Sequence, residues 1–590
     1  MGTAADLQSE WARLVVHSFV RAGVRDAVIS PGSRSTPFTV AALEQEGLRC
    51  VSALDERSAA HYALGQARAT GRPSLLLCTS GSAPANYFPA VIEANEAGVP
   101  LVVLSADRPP ELLRCGANQT TDQVGLYGRH VRFFAQLGEP RADELSLRAA
   151  KRLATRAVFE ASGARPGPVH LNAQARKPLE PTAVRGDEMQ VHARVEAIIE
   201  EPMAAVAAFG GIDESVLTRV VGALDAAARP LVLCGPAALQ QAALLPELRG
   251  FAERAKLVIA SEASGQARFG DGADVVVGAF DTIWRTNRGS SELVPDFVLQ
   301  LGANPTSKGW EDICTAHRVR RVVVHPWDWV DPASSAELIV HAPIGDFIRA
   351  LARESFNTAA RDAEFASSLQ RAEKLAWDAA AEVLDEAGDQ LTEAGVARAV
   401  HEAAPEHSAL VLGNSLPIRN FDTWVPPTRS PVRIFSQRGV SGIDGIVSGA
   451  AGVSSCVSEA TAVLVGDVSF LHDINGLQLA SQVSGPLVVV VVNNGGGRIF
   501  EQLPIARQGR EEWLPYFTTP HEASVAGAAS IYGCAFRTVS AVSDLRTALE
   551  AAYGQDGCTV IEAVVPPHGS AEQNEALRSR VEQALQREGL

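Results

Sequence analysis

The sequence predicts an α/β protein built from three doubly wound parallel-sheet domains. Three observations carry this. Short aliphatic or β-branched runs recur along the chain, each ending in Gly, Ser, Asp or Asn and each followed by a helical pattern. Strands that alternate with helices form parallel sheets covered on both faces. The series breaks near residues 180–210 and again near 355–390. Finally, 590 residues exceed what a single hydrophobic core holds.

The first series reads DAVIS (26–30), CVSALDE (50–56), SLLLCTSGS (74–82) and LVVLSADRP (101–109). The second reads RPLVLCGP (229–236), KLVIASEAS (256–264), DFVLQLGANP (296–305) and RVVVHPWD (321–328). The third reads ALVLGNS (409–415), VRIFSQRG (432–439), AVLVGD (462–467), LVVVVVNN (487–494) and TVIEAVV (559–565). The first break holds KPLEPTAVRGDEM (177–189). The second, Arg353 to Gln390, is charged and Ala-rich and reads as a surface or connecting helix. The expected domains are therefore 1–190, 205–355 and 385–590. No short repeat or low-complexity segment appears, and an old triplication of one unit stays open.

Composition narrows the function. Hydrophobic residues make up 46%, enough for large cores, and the formal net charge is −16. That charge argues against a nucleic-acid surface and for a soluble protein. An anionic substrate would need a local basic cluster to override the global field. The eight cysteines are scattered, with no C-x-x-C pair and no His at zinc spacing, which reads as buried reduced thiols in a cytoplasmic protein. MGTAADLQSEW has no apolar h-region and so is not read as a signal peptide, and Asp6 spoils the myristoylation pattern that Met-Gly opens. The longest strongly apolar run, Pro486 to Val492, is too short to span a bilayer.

The most informative stretch is GDVSFLHDINGLQLASQVSGPLVVVVVNN (466–494). Ala462–Val465 reads as a strand ending at Gly466-Asp467, Ser469 to about Gln482 as a crossover helix, and Leu487–Val492 as the next strand, ending at Asn493-Asn494. In a right-handed βαβ unit both strands point the same way. Asp467 and Asn494 then share the edge where open α/β sheets bind ligands, and neighbouring strands would hold them about 5 Å apart laterally. One carboxylate and one amide oxygen are hard donors suited to Mg²⁺ carrying a diphosphate. A helix start after Asp467 adds N–H donors for the same anion, and Gly495-Gly496-Gly497 allows close backbone approach. Either pair alone would read as turn residues; together at this spacing they favour a metal–diphosphate site.

This spacing resembles the diphosphate–magnesium motif of thiamine diphosphate enzymes, Gly-Asp-x followed one βαβ unit later by Asn or Asn-Asn. Further segments are similar to one branch of that family: ISPGSRSTP (29–37), LDERSAAHYALG (54–65), SADRPPELLRCGANQT (105–120), GNSLPIR (413–419), QRGVSGIDG (437–445) and VVNNGGGRIF (491–500). The branch is the 2-succinyl-5-enolpyruvyl-6-hydroxy-3-cyclohexene-1-carboxylate synthases of menaquinone biosynthesis. There a triplet such as Gly-Asp-Leu is normal, so Val468 fits. The resemblance runs from the first domain to the last and is weakest in the middle.

The resemblance implies a fold of the thiamine diphosphate-enzyme type, with a pyrimidine-binding first domain and a diphosphate- and magnesium-binding third domain. It implies a transferase that decarboxylates 2-oxoglutarate, with the cofactor as electron sink, and adds the four-carbon fragment to isochorismate by conjugate addition. Glu56, read locally as a first-turn acid favoured by the helix dipole, becomes the residue that protonates the cofactor's aminopyrimidine; an apolar pocket should raise its pKa. Asp467, Asn494 and the Gly496 carbonyl become ligands of Mg²⁺, with Mn²⁺ as the alternative ion. Gly442, Ile443, Val468 and Ser469 join the cofactor contacts, Ile443 propping the bent cofactor. The glycines at 439, 442, 445, 449 and 452 also read as close helix packing.

Arg34, Arg108, Arg419 and Arg438 each lie in a loop after an expected strand. Arginine forks bind carboxylates in bidentate fashion, and each implied substrate carries two. Ser33, Asn118, Gln119, Lys308 and Ser415 match further substrate contacts, with catalytic roles implied for Arg34, Gln119, Arg419 and Arg438. Phe500 either closes the pocket or is a core residue after a strand. The resemblance also implies a homodimer at minimum, or a tetramer of two dimers, because in this class one cofactor is shared between subunits. Another thiamine diphosphate-dependent 2-oxoacid decarboxylase or carboligase would share Glu56, Asp467 and Asn494 but leave the four arginines unexplained. A non-catalytic regulatory protein on the same fold is the rival of another class; no G-x-G-x-x-G or Walker-type loop supports it.

Overall fold

The computed structural model describes residues 7–181, 188–206, 211–237 and 244–590. The leader reading at residues 1–6 and the heart of the first break, 182–187, lie outside the described residues.

Three six-stranded sheets form. The first contains β1 (Asp26–Ile29), β2 (Arg49–Ser52), β3 (Ser74–Cys78), β4 (Leu101–Asp107), β5 (Phe133–Gly138) and β6 (Pro168–Gln174), in the order β2-β1-β3-β4-β6-β5. The second contains β7 (Pro230–Cys234), β8 (Val258–Ser261), β9 (Val276–Val277), β10 (Phe297–Leu301), β11 (Arg320–His325) and β12 (Leu338–His341), in the order β12-β11-β10-β7-β8-β9. The third contains β13 (Ala409–Leu412), β14 (Arg433–Ser436), β15 (Thr461–Gly466), β16 (Pro486–Asn493), β17 (Ala535–Val539) and β18 (Gly557–Val564), in the order β14-β13-β15-β16-β18-β17. Every pairing between these strands is parallel. The first and third sheets thus share one winding. The middle sheet has the other common doubly wound order, so the three series are not three copies of one topology.

The strands that the sequence reading passed over are β5, β6, β9, β12 and β17. Of these, β5, β9, β12 and β17 are sheet edges, where one side of the strand meets no partner and the apolar pattern is diluted. The exception, β6, is interior but reads PVHLNAQ. Its His170 and Asn172 are buried and bonded to β4: Ser105 Oγ bonds His170 Nε2 at 2.7 Å and donates to Asn172 Oδ1 at 2.8 Å, and Asn172 Nδ2 donates to Asp107 Oδ2 at 2.8 Å.

The crossover expected as one helix over 469–482 is instead two short helices, Asp467–His472 and Gly476–Ala480. The chain turns inward between them at Asp473, which is fully buried and accepts from the Ser448 backbone N–H at 2.8 Å and hydroxyl at 2.9 Å. The second break does contain a helix, Phe365–Ala387, but it is no mere surface element. Phe365, Leu369, Ala372, Ala376, Ala380 and Val383 recur at helical spacing, and that stripe joins Leu577, Val581 and Leu585 of the C-terminal helix Gly569–Glu588 in one core. The cysteines are all free; Cys78, Cys234 and Cys558 are buried, while Cys115 is exposed. Among the described residues no helix is long and apolar enough to cross a membrane.

The chain divides into two compact units that do not follow the three sheets. One comprises Met1–Phe209, Gln437–Ser458 and His472–Ser484; the other comprises Gly210–Ser436, Glu459–Leu471 and Gly485–Leu590. The first unit takes in the helix Ile446–Ser454 because it packs backbone to backbone on the helix Glu56–Thr70. A Cβ on Gly65 would lie 2.0 Å from the Gly449 carbonyl oxygen, and one on Gly452 would lie 2.0 Å from that of Tyr62. Gly452→Val is therefore expected to force the helices apart. Overpacking of this kind costs on the order of 1–3 kcal/mol, to be read as a lowered melting temperature by circular dichroism.

Candidate active site

A parallel sheet delivers the residue after each strand to one edge, and in doubly wound sheets that edge binds ligands where the strand order reverses. In the first sheet the reversal falls between β1 and β3. The chain leaving β1 forms a 3₁₀ turn, Ser33–Ser35, that carries Arg34. After β2, Asp55 caps the helix Glu56–Thr70 by accepting from the Arg57 N–H, which makes Glu56 its first residue. After β4 comes Arg108, its backbone N–H held by Asp107 Oδ1 at 2.7 Å.

Arg34 is 3% exposed. Its Nη1 donates to the Ala175 carbonyl at 2.6 Å, and its Nε is buried without a partner. Arg108 donates through Nη2 to the Asn118 carbonyl at 2.9 Å and likewise has a buried Nε without a partner. Burial first, then the Arg108 charge, holds Arg34 below the usual guanidinium pKa. Two crowded cations with orphaned donors form a place for an anion. Gln119 sits beside them in the left-handed region, φ 55°, fixed by reciprocal bonds with Ser80: Ser80 Oγ donates to the Gln119 carbonyl at 3.0 Å and Gln119 Nε2 to the Ser80 carbonyl at 3.1 Å. Ser33 and Asn118 are exposed. Glu56 is half-buried; desolvation raises its pKa, the Asp55 charge adds to this, and its own backbone N–H and Asn86 partly offset it.

The Arg438 loop belongs to the same unit. Glu93, buried, accepts from the Gly439 N–H at 2.9 Å and the Val440 N–H at 2.7 Å, and pairs with Arg68. This clamp fixes the chain directly after Arg438. Gly442 and Ile443 follow, half-buried, in the turn that leads into the helix Ile446–Ser454.

The other unit holds the Gly-Asp and Asn-Asn pairs. Strands β15 and β16 are neighbours, with Gly466 opposite Val492, so Asp467 and Asn494 emerge side by side. Both are buried, and both line a cleft with Glu393, Ser415, Val468, Ser469 and Gly496. Asp467 Oδ1 accepts from the Val468 N–H at 2.7 Å and Oδ2 from the Gly496 N–H at 2.9 Å, while His521 Nε2 lies 3.4 Å from Oδ2. Desolvation nevertheless raises its pKa. Asn494 Oδ1 is buried with no partner at all. Gly496 has φ 140°, and a Cβ there would lie 2.5 Å from the Thr518 carbonyl oxygen, so only glycine fits this turn. A desolvated carboxylate and an orphaned amide oxygen in one cleft are hard oxygen donors short of a positive charge, and they fit Mg²⁺ or Mn²⁺.

Ser415, at the mouth of the helix Leu416–Trp424, is held at φ 72° and ψ −127°, a region an L-residue rarely occupies. Arg419 Nη1 donates to its carbonyl at 2.7 Å. Arg419 and Lys308 line one cavity, where Lys308 is paired within its own helix to Glu311 at 3.1 Å and Asp312 at 2.7 Å. Phe500 packs half-buried against Phe517, ring centroids 5.8 Å apart.

Comparison with known proteins now adds to this geometry. A family model described as thiamine pyrophosphate enzyme, N-terminal TPP binding domain, matches residues 10–126, and one described as the C-terminal TPP binding domain matches 424–563. The chain is 42% identical to the 2-succinyl-5-enolpyruvyl-6-hydroxy-3-cyclohexene-1-carboxylate synthase of Sorangium cellulosum, over 96% of this chain and 94% of that protein. The chain belongs to the 2-succinyl-5-enolpyruvyl-6-hydroxy-3-cyclohexene-1-carboxylate synthase family. Synthases of Geobacillus kaustophilus and Haloarcula marismortui are 39% and 38% identical, each over 95% of both chains. Glu56, Arg34 and Arg108 fall inside the first family match, and Arg438, Asp467 and Asn494 inside the second. Lys308, Ser415 and Arg419 fall outside both, in the part of the chain that only the full-length likeness to synthases reaches.

Two residues of the site escaped the sequence reading. Glu393 sits at the start of the helix Glu393–Glu402 behind the N-cap Thr392, where an acid looks like a dipole partner. Burial, with the Asp467 charge adding to it, pushes its carboxyl up to about 7 against two amide hydrogen bonds. Glu93 lies mid-helix, and only its buried position between Arg68 and the Arg438 loop marks it.

Proposed function

We infer that this protein decarboxylates 2-oxoglutarate on thiamine diphosphate and adds the resulting four-carbon unit to isochorismate, giving 2-succinyl-5-enolpyruvyl-6-hydroxy-3-cyclohexene-1-carboxylate and carbon dioxide. It is a thiamine diphosphate-dependent transferase of menaquinone biosynthesis. The full-length likeness to the synthases carries this reading. A generic decarboxylase or a regulatory protein on the same fold is not favoured.

When bound, thiamine diphosphate supplies the electron sink for loss of carbon dioxide. The chain's own residues bind, orient and move protons. Asp467, Asn494 and the Gly496 carbonyl would hold the divalent ion, Mg²⁺ or Mn²⁺, with Val468 and Ser469 of the same cleft as further cofactor contacts. Glu56, its pKa raised by burial, would exchange a proton with the pyrimidine ring. Ile443 and Gly442 support the cofactor. Arg34, Arg108, Arg419 and Arg438 receive substrate carboxylates, with Ser33, Asn118, Gln119, Lys308 and Ser415 as polar contacts and Phe500 as an apolar wall. Local clusters of cations on a protein of net charge −16 reconcile acidic substrates with an acidic surface.

We assign the pyrimidine-binding domain to residues 1–190, the central domain to 205–355 and the diphosphate domain to 385–590. The proposed assembly is a homodimer or a tetramer of two dimers, read by sedimentation, and the proposed compartment is the cytoplasm, where free cysteines stay reduced.

The deciding assay gives the purified protein thiamine diphosphate, Mg²⁺ and 2-oxoglutarate, with and without isochorismate. Carbon dioxide release that depends on isochorismate, with the adduct seen by mass spectrometry, is expected; release that ignores isochorismate would reassign the protein to the decarboxylases. Glu56→Gln should abolish turnover while the circular dichroism spectrum stays native. Asp467→Ala should lose Mg²⁺-dependent binding of thiamine diphosphate, followed by tryptophan fluorescence. Arg108→Ala and Arg419→Ala should each lower kcat/KM for one of the two substrates by tenfold or more, since a charged hydrogen bond contributes about 1.5–3 kcal/mol.

A further inference from the structure

Glu393 is 4% exposed and forms no ion pair among the described residues. Instead its carboxylate is spent on two side-chain amides. Oε1 accepts from Asn494 Nδ2 at 2.8 Å, and Oε2 accepts from Asn420 Nδ2 at 2.7 Å. A carboxamide is planar, with its oxygen and nitrogen on opposite sides of the carbon. Binding the nitrogen therefore fixes where the oxygen points. For Asn494 that oxygen, Oδ1, is the buried atom left without a partner in the cleft it shares with Asp467. Both Glu393 oxygens accept in this arrangement, so turning the Asn494 amide over would set oxygen against oxygen. Glu393 is itself held from behind: Asn420 Oδ1 accepts from Ser570 Oγ at 3.3 Å, at the start of the C-terminal helix.

We propose that Glu393 is a positioning residue for the metal site: it locks the Asn494 carboxamide with its oxygen toward the cleft, so that a divalent cation meets a preset ligand. This rests on the reading of Asn494 as a metal ligand. Residues that orient metal ligands through hydrogen bonds are worth about 10- to 100-fold in metal affinity when lost. Glu393→Gln offers one donor and one acceptor in place of two acceptors, so one of the two amides must turn.

The test measures Mn²⁺ binding by electron spin resonance on the full chain with saturating thiamine diphosphate, for wild type, Glu393→Gln, Asn494→Ala and the double variant. Expected are a 10- to 100-fold loss of Mn²⁺ affinity in Glu393→Gln and a double variant no weaker than Asn494→Ala alone, because the two act through one ligand. Melting of the metal-free proteins separates this from general loosening, which would lower the melting temperature and add to the Asn494→Ala defect. Unchanged affinity in Glu393→Gln beside a loss in Asn494→Ala overturns the positioning role only. Unchanged affinity in Asn494→Ala overturns the ligand reading beneath it. Should Glu393→Gln fail to fold, Glu393→Asp keeps both acceptors on a shorter arm: weakened affinity that again vanishes in the Asn494→Ala background supports the role, and wild-type affinity overturns it.

Discussion

The parallel pairing of β15 with β16 is the constraint on which the candidate site depends. Its register sets Gly466 against Val492, so the acid after one strand and the amide after the other arrive at a common edge. A slip of one residue would turn each side chain to the opposite face. Strand β16 is buried along its interior and paired on both sides, by β15 and β18. The price is a carboxylate out of water and an amide oxygen with no partner. A metal–diphosphate complex is the kind of ligand that relieves both deficits at once.

A second device recurs in both units. A buried carboxylate accepts two hydrogen bonds and so pins a segment that no sheet holds. Glu93 grips the backbone after Arg438, and Asp473 grips Ser448. In the other unit half-buried Glu373 takes the Gly278 and Ala279 N–H groups at 2.9 Å each, and buried Glu393 takes two amides. Burying a charge is costly unless its lone pairs are filled, which is why each of these acids meets more than one donor. The arginines at the first sheet's edge are the converse, cations left with unfilled donors.

Legibility in the sequence followed local pattern. The interior strands β1, β3, β4, β7, β10, β13, β15 and β16 are continuous apolar runs and were readable as such. Four of the six edge strands, β5, β9, β12 and β17, were not, because a strand with a partner on one side only carries a diluted apolar pattern. Nor was β6, whose His170 and Asn172 look like surface residues until their hydrogen bonds are seen. The crossover after Asp467 carried a helical pattern throughout, yet it breaks at Asp473, whose partner Ser448 is 25 residues away. The shared winding of the first and third sheets, and the different one of the middle sheet, has no signature in the runs themselves.

The sequence by itself determined the alternation of strands and helices, the parallel sense of the sheets, the Gly-Asp and Asn-Asn pairs, and the arginines placed just after strands. Those are properties of neighbours within a few positions, which periodicity and turn chemistry report. Only the tertiary structure decided the strand orders, the burial of Arg34, the orphaned Asn494 oxygen, and the two glutamates that hold the site. Glu393 and Asn494 are 101 residues apart, and Glu93 and Gly439 are 346 apart. A hydrogen bond across such a distance leaves no trace in local pattern, because it exists only after the sheets have brought its ends together.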